Sequence, residues 1–200
     1  MNTKTIRGRP RTFDKAKALD IAMHIFWTHG YDGASVAHLA REMGINVPSL
    51  YAAFGNKEAL YHQVLNRYGE VNGHMYMESM KLEKARDVAE AILMGEVELV
   101  TGDNTPDGCL VALGATITGP ESENIRQVMV KVRATPIVWM TQRFKRAKKE
   151  GDLPAGADPL TLANWVMTLN IGIAAMAKDG LTRNQLKKIV ATSMQAWPKA

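Results

Sequence analysis

Side chains able to ligate a metal, attack an electrophile or carry a proton are sparse in this 200-residue chain. The histidines His24, His29, His38, His62 and His74 form no H-x-x-x-H pair, have no cysteine near them and face no paired carboxylates at ligand spacing. A zinc or di-iron site therefore has no visible ligand set. There is no phosphate-binding P-loop and no G-x-S-x-G nucleophile turn. No catalytic residue, no metal and no cofactor is expected, and the chain reads as a non-enzyme. The one thiol, Cys109, follows the turn Thr105-Pro106-Asp107-Gly108, at or near the start of a short helix. A helix N-terminus lowers a thiol pKa and makes it reactive. Asp107 opposes thiolate formation, and lone cysteines are commonly buried and inert. Both chemistries stay open for Cys109: a core residue, or a sensor of oxidants and electrophiles.

What the chain does offer is cationic chemistry suited to phosphate. Residues 1 to 17 carry Lys4, Arg7, Arg9, Arg11, Lys15 and Lys17 against Asp14 alone, which accounts for the whole formal charge of +5. The remainder of the chain is balanced, so residues 1–12 form a basic arm, an electrostatic footprint for nucleic acid. Arg7-Gly8-Arg9-Pro10-Arg11 favours an extended backbone, because proline biases its predecessor away from the helical region. On such a strand Arg7, Arg9 and Arg11 can enter a narrow A·T-rich minor groove. A second cluster, Lys145, Arg146, Lys148 and Lys149, falls at a helix C-terminus and is explained by the helix dipole.

The arm precedes a pattern that positions residues on duplex DNA. In VAHLAREMGINVPSLYAAFG, residues 36–55, small Ala40 lets two helices cross and Gly44 supplies the positive φ of a turn. Val36, Leu39, Ile45 and Leu50 supply the apolar contacts between them. Ser35 caps the first helix and Asn46 the second, with Pro48 in the first turn, where a missing N–H costs nothing. This is the spacing of a helix-turn-helix, whose second helix lies in the major groove with its N-terminal residues against base edges. His38 stands where an acidic residue would complete a capping box, so the Ser35 cap is expected to be weak.

The elements around it read as helical throughout. A first helix over residues 14–29 shows Ala18, Ile21, Ala22, Ile25 and Phe26 on one face. Asn56 caps a fourth helix, the natural lever between two domains, and a further helix covers residues 83–100. Residues 102–107 are a turn cluster, and 109–115 are short and rich in small residues. Pro120 opens a long helix to about residue 150, which Pro136 should kink or interrupt. The last two helices span residues 159–178 and 182–197. The apolar run 165–177 is broken by Thr168 and Asn170 and is shorter than the roughly 20 residues a membrane span needs, so no membrane partner is expected. Helix 159–178 is apolar nearly all round, which calls for a second subunit to cover its outer face. Leu162, Trp165, Val166, Leu169, Ile173, Ala174 and Ile189 are the expected dimer interface. A single cysteine and the absence of an apolar signal segment fit a reducing cytoplasm.

Residues 13–68 resemble the DNA-binding domain of the TetR family of bacterial transcriptional regulators. The resemblance rests on AMHIFWTHG (22–30), Tyr31, Ser35 to Gly44, and the closing LYAAFGNKEAL (50–60). It implies an all-α protein, with an N-terminal three-helix helix-turn-helix domain (13–68) and a C-terminal helical domain (69–200) that binds an effector and pairs its last two helices with those of a second subunit. It further implies phosphate contacts from Ser35, Tyr51 and Lys57. Base contacts fall to Val47, Pro48 and Ser49, with His38 a candidate from the preceding helix. Val47 departs from the basic residue common in relatives and suits a thymine methyl, and Ala53 replaces a common aromatic. The expected partners are double-stranded operator DNA, a small-molecule effector and a second copy of the chain. The function implied is a sequence-specific regulator, most often a ligand-released homodimeric repressor. Alternatives are a non-specific or architectural DNA-binding protein and a repressor switched through its thiol. An effector pocket is expected between about residues 90 and 170, where Met94, Val97, Cys109, Met129, Trp139 and Trp165 offer soft or aromatic surface.

Overall fold

In the computed structural model, which describes residues 14–103 and 105–199, ten α-helices and no strand are found among the described residues. The order is α1 (Lys15–Gly33), α2 (Val36–Glu42), α3 (Val47–Phe54), α4 (Lys57–Asn72), α5 (His74–Ser79), α6 (Ala85–Val100), α7 (Leu110–Leu113), α8 (Glu123–Lys149), α9 (Pro159–Lys178) and α10 (Arg183–Ser193). The fold is all-α, as its periodicity implies.

The first four helices are set by caps that the sequence spells out. Asp14 Oδ1 accepts from Ala16 N and Lys17 N to start α1, and the helical path breaks at Gly30. Ser35 Oγ accepts from His38 N at 3.1 Å, Asn46 Oδ1 from Ser49 N at 2.8 Å and Asn56 Oδ1 from Ala59 N at 2.8 Å. These start α2, α3 and α4 respectively. Between α2 and α3, Ile45 N donates to Ala40 O and Gly44 N to Arg41 O, with Gly44 at φ 69°. That pair of bonds is a Schellman closure, and its left-handed residue is nearly free of cost only for glycine. Leu39, Ala40, Leu50 and Phe54 close the core of the motif.

Helix α4 packs on α1 and α3 and runs on toward α5. At the junction, Phe26, Tyr31 and Tyr61 interlock, Phe26 and Tyr61 edge to face at 4.9 Å. Trp27 packs on Tyr68 and its Nε1 donates to Gly108 O at 2.9 Å. Asp32 accepts from Gly119 N at 3.1 Å and from Ser122 Oγ, and Asn124 donates to Glu58 at 2.7 Å. The two halves of the molecule are thus tied at several points along α1 and α4.

Helices α6, α8 and α9 pack together, with α10 against α6 and α9. Two expectations change here. Helix α8 runs unbroken from Glu123 to Lys149 with Pro136 inside it, so the proline does not interrupt it. Helix α9 by itself is long and apolar enough to cross a membrane, contrary to the reading of its central run; it is packed against α6 and α8 and buries Asn170 among apolar neighbours. The short α5 carries no side-chain cap. It reaches α6 at Gly95, where an added Cβ would stand 1.9 Å from Met75 Sδ.

Candidate nucleic-acid interface and internal cavity

The outer face of α3 carries Pro48, Ser49 and Tyr51, all exposed, with Tyr51 47% accessible. Val47 is half-buried against the core. The α3 N-terminus is therefore stiff, because Asn46 and Pro48 fix the first turn while Val47 and Leu50 anchor it from below. Lys57, at the start of α4, lies with Nζ 4.3 Å from the centroid of Tyr31. Burial pulls its pKa down and Asp32 opposes that shift. The cation is thus oriented by an aromatic face, while Tyr51 and Ser49 project freely. His38 stands 5.3 Å ring to ring from His29 and 3.8 Å from Glu42. Ser35 Oγ is engaged in its cap. Arg7, Arg9 and Arg11 lie outside the described residues.

The other half holds a cavity of about 350 Å3, with exposed Asn66, Gly69, Thr135 and Trp139 at its rim, walled by the C-terminal half of α4 and by α5, α6, α7, α8 and α9. Most of its surface is apolar, from residues such as Leu65, Met75, Leu99, Val132 and Met167. Its polar groups are few and specific. Glu96 is 1% exposed, and neither its Oε1 nor Asn170 Nδ2 has a hydrogen-bond partner. Burial pushes the Glu96 carboxyl up to about 7, partly opposed by the Cys109 thiol and by the Asn170 amide, which lies beside it without closing to a normal hydrogen-bond length. Pro136 in α8 has no N–H, which leaves the Val132 carbonyl without its i+4 donor, and both residues line the space. None of the lining residues is Lys, Arg or His.

Cys109 is in this wall and is 6% exposed. Its Sγ accepts from Ala112 N at 3.4 Å as the cap of α7 and lies 3.2 Å from Tyr68 Oη. Burial, reinforced by Glu96, pushes the thiol up to about 12. The helix terminus does not produce a thiolate here, since desolvation outweighs it.

Of the residues expected to form the pocket, Cys109 and Trp139 line it. The others are corrections. Val97 and Met129 are fully buried core, Met94 packs against that core from outside the cavity, and Trp165 packs on Trp197 at 5.9 Å. The residues missed were Glu96, Asn170, Tyr68 and Tyr76. The expected interface is corrected in the same way. Val166, Ile173 and Ala174 are closed inside the protomer and cannot meet a partner, whereas Leu162, Trp165 and Leu169 are half-buried and Ile189 is 38% exposed. Leu160 and Met176 add exposed apolar surface on α9. Among the described residues no group of three or more His, Cys, Asp or Glu could hold a metal ion.

A compact, capped helix-turn-helix joined through α4 to a helical body with an internal cavity defines a class of regulatory protein. Residues 18–64 match the family model described as bacterial regulatory proteins, tetR family. The chain is 32% identical over 202 residues to the HTH-type transcriptional repressor ComR of Escherichia coli (strain K12), covering 98% of this chain and 94% of ComR. It is 29% identical to the repressor BdcR of the same organism, covering 96% of this chain and 92% of BdcR. Among solved structures, a cysteine mutant of the TetR family regulator CifR complexed with 26-base-pair operator DNA superposes with a TM-score of 0.90 at 39% identity, covering 95% of this chain and all of that one. The chain belongs to the TetR family.

Proposed function

We propose that the protein is a homodimeric repressor of transcription that grips a specific operator and is released when a small molecule enters the cavity behind α4. Residues 13–68 form the DNA-binding domain, preceded by the basic arm of residues 1–12, and residues 69–200 form the effector-binding and dimerisation domain. Tyr51 and Lys57 contact phosphate and set register, with Ser35 beside them. Val47, Pro48 and Ser49 meet base edges, with His38 next to them. Arg7, Arg9 and Arg11 extend along the minor groove. The partner subunit packs on the outward faces of α9 and α10, through Leu162, Leu169 and Ile189 together with Leu160 and Met176. Catalysis is not part of the role, and the protein works in the cytoplasm, where its DNA is.

The observation that carries this reading is the double duty of α4. Its N-terminus presents Lys57 beside the reading helix, and its C-terminal half from Leu65 to Asn72 forms a wall of the cavity. A ligand that prefers one position of that wall biases the separation of two reading helices. The operator complex of CifR supports the DNA-bound role. The buried and protonated Cys109 weighs against a thiol switch.

The test is a gel-shift titration of the full chain on the duplex upstream of its own gene and on a scrambled duplex of equal composition, at several salt concentrations. Binding to the native duplex at least about a thousandfold tighter is expected for a specific regulator. Equal binding to both would establish the architectural alternative.

A further inference from the structure

The cavity identifies the chemistry of its occupant. A buried carboxylate with an unmet acceptor is costly unless a donor reaches it. Glu96 and Asn170 stand beside each other in the wall, each almost wholly buried, and neither Glu96 Oε1 nor Asn170 Nδ2 completes a hydrogen bond of normal length, so both keep hydrogen-bonding capacity for a ligand that reaches them among mostly apolar neighbours. Pro136 also leaves the Val132 carbonyl without its helical donor, and both residues line the cavity. Nothing in the lining carries positive charge, so an anionic ligand would meet Glu96 with no compensating cation. Tyr68 and Tyr76 lie close to Glu96, and they and Trp139 line the cavity with aromatic surface, which favours a cation over an anion.

We propose that the cavity selects small organic cations of the amino-alcohol type: an apolar body in the chamber, an ammonium donating to Glu96, and an adjacent oxygen accepting from Asn170. This rests on the reading of the cavity as the effector site. It makes Glu96 and Asn170 the specificity-determining pair, with no covalent step. A body of roughly ten non-hydrogen atoms suits a chamber of about 350 Å3.

Three probes of nearly equal shape separate charge from size: 2-amino-1-phenylethanol, 1-phenyl-1,2-ethanediol and mandelate, which are cationic, neutral and anionic. Phenethylamine, lacking the hydroxyl, reports on Asn170. Binding to the full-length dimer is measured by calorimetry, and release of a fluorescent operator duplex by anisotropy. The amino alcohol should bind at least about tenfold tighter than the diol, with mandelate weakest. Glu96→Gln should erase the advantage over the diol, and Asn170→Leu should erase the advantage over phenethylamine. The rank order in the unaltered protein decides the matter even where a variant folds poorly. Equal binding of diol and amino alcohol, preference for mandelate, or no binding of any probe at millimolar concentration would overturn the proposal. Selective binding of the amino alcohol without operator release would leave the cation site standing and refute ligand-driven release.

Discussion

Replacing Glu96 by glutamine should change how stability depends on pH. The unfolded carboxyl titrates near 4.5, and burial raises the folded one to about 7. Between those values the folded state holds a proton that the unfolded state has released, so stability falls as pH rises across that window. Below it both states are protonated and above it both are ionised, and the contribution is flat at either end. Moving a pKa from 4.5 to about 7 corresponds to about 3 kcal/mol. Glutamine cannot ionise. Glu96→Gln should therefore differ from the native protein by a constant at pH values below 4.5, then gain steadily through the window and reach about 3 kcal/mol relative to it on the alkaline side of neutrality. Urea unfolding followed by tryptophan fluorescence, at one fixed protein concentration because the unfolding unit is a dimer, gives the two profiles. Their difference removes every other titrating group. Parallel profiles would refute the argument, since a solvated or ion-paired Glu96 would show no such divergence.

Lys57→Ala should weaken binding to all duplexes alike and lower the salt slope of the binding constant by about one, whereas Val47→Ala should change the preferred operator in a selection from random duplexes. Deleting residues 1–11 should cost affinity mainly at sites flanked by A·T pairs, read by gel shift on A·T- and G·C-flanked duplexes; equal loss on both would mean plain electrostatics. Leu169→Glu should dissociate the dimer in light scattering at micromolar concentration and abolish operator binding with it, because a charge would be buried in the seam at a cost of several kcal/mol. Cys109, held protonated by burial, should react with a thiol-alkylating reagent far more slowly in the folded protein than after unfolding, and Cys109→Ser should respond to effector as the native chain does. Rapid alkylation that releases operator in the native chain, but not in the serine variant, would restore the thiol switch.

The DNA-binding half was legible because its determinants are local. Ser35, Gly44, Asn46 and Asn56 each do their work within three or four residues of themselves, which is the range over which a sequence can be read directly. The cavity was hidden because it depends on helices far apart in the chain. A signal was present all the same. In α6 the buried positions 88, 89, 92, 93, 96, 97 and 100 follow helical spacing, and Glu96 occupies one of them; in α9 the same holds for Asn170 among 163, 166, 167, 173 and 174. A search for soft and aromatic residues passes over these two and selects Val97 and Met129, which are only core. The informative feature is a polar residue that falls in an apolar stripe. The expected interface departs from the structure for a related reason: an all-apolar helix has an inner face too, and Val166, Ile173 and Ala174 belong to it. Pro136 is expected to kink or interrupt α8, yet the helix runs through it and leaves the Val132 carbonyl without its helical donor.

If one helix, α4, meets DNA at one end and the effector at the other, as proposed, the two ligands cannot be ranked as cause and effect. Free energy around a closed cycle must cancel, so whatever factor the effector takes from operator affinity, the operator takes from effector affinity. A protein seated on its operator should thus respond only to effector levels well above those that saturate the free dimer. The threshold for derepression then becomes a property of the DNA site as much as of the cavity, and two operators of unequal strength would be relieved in sequence by a single rising signal.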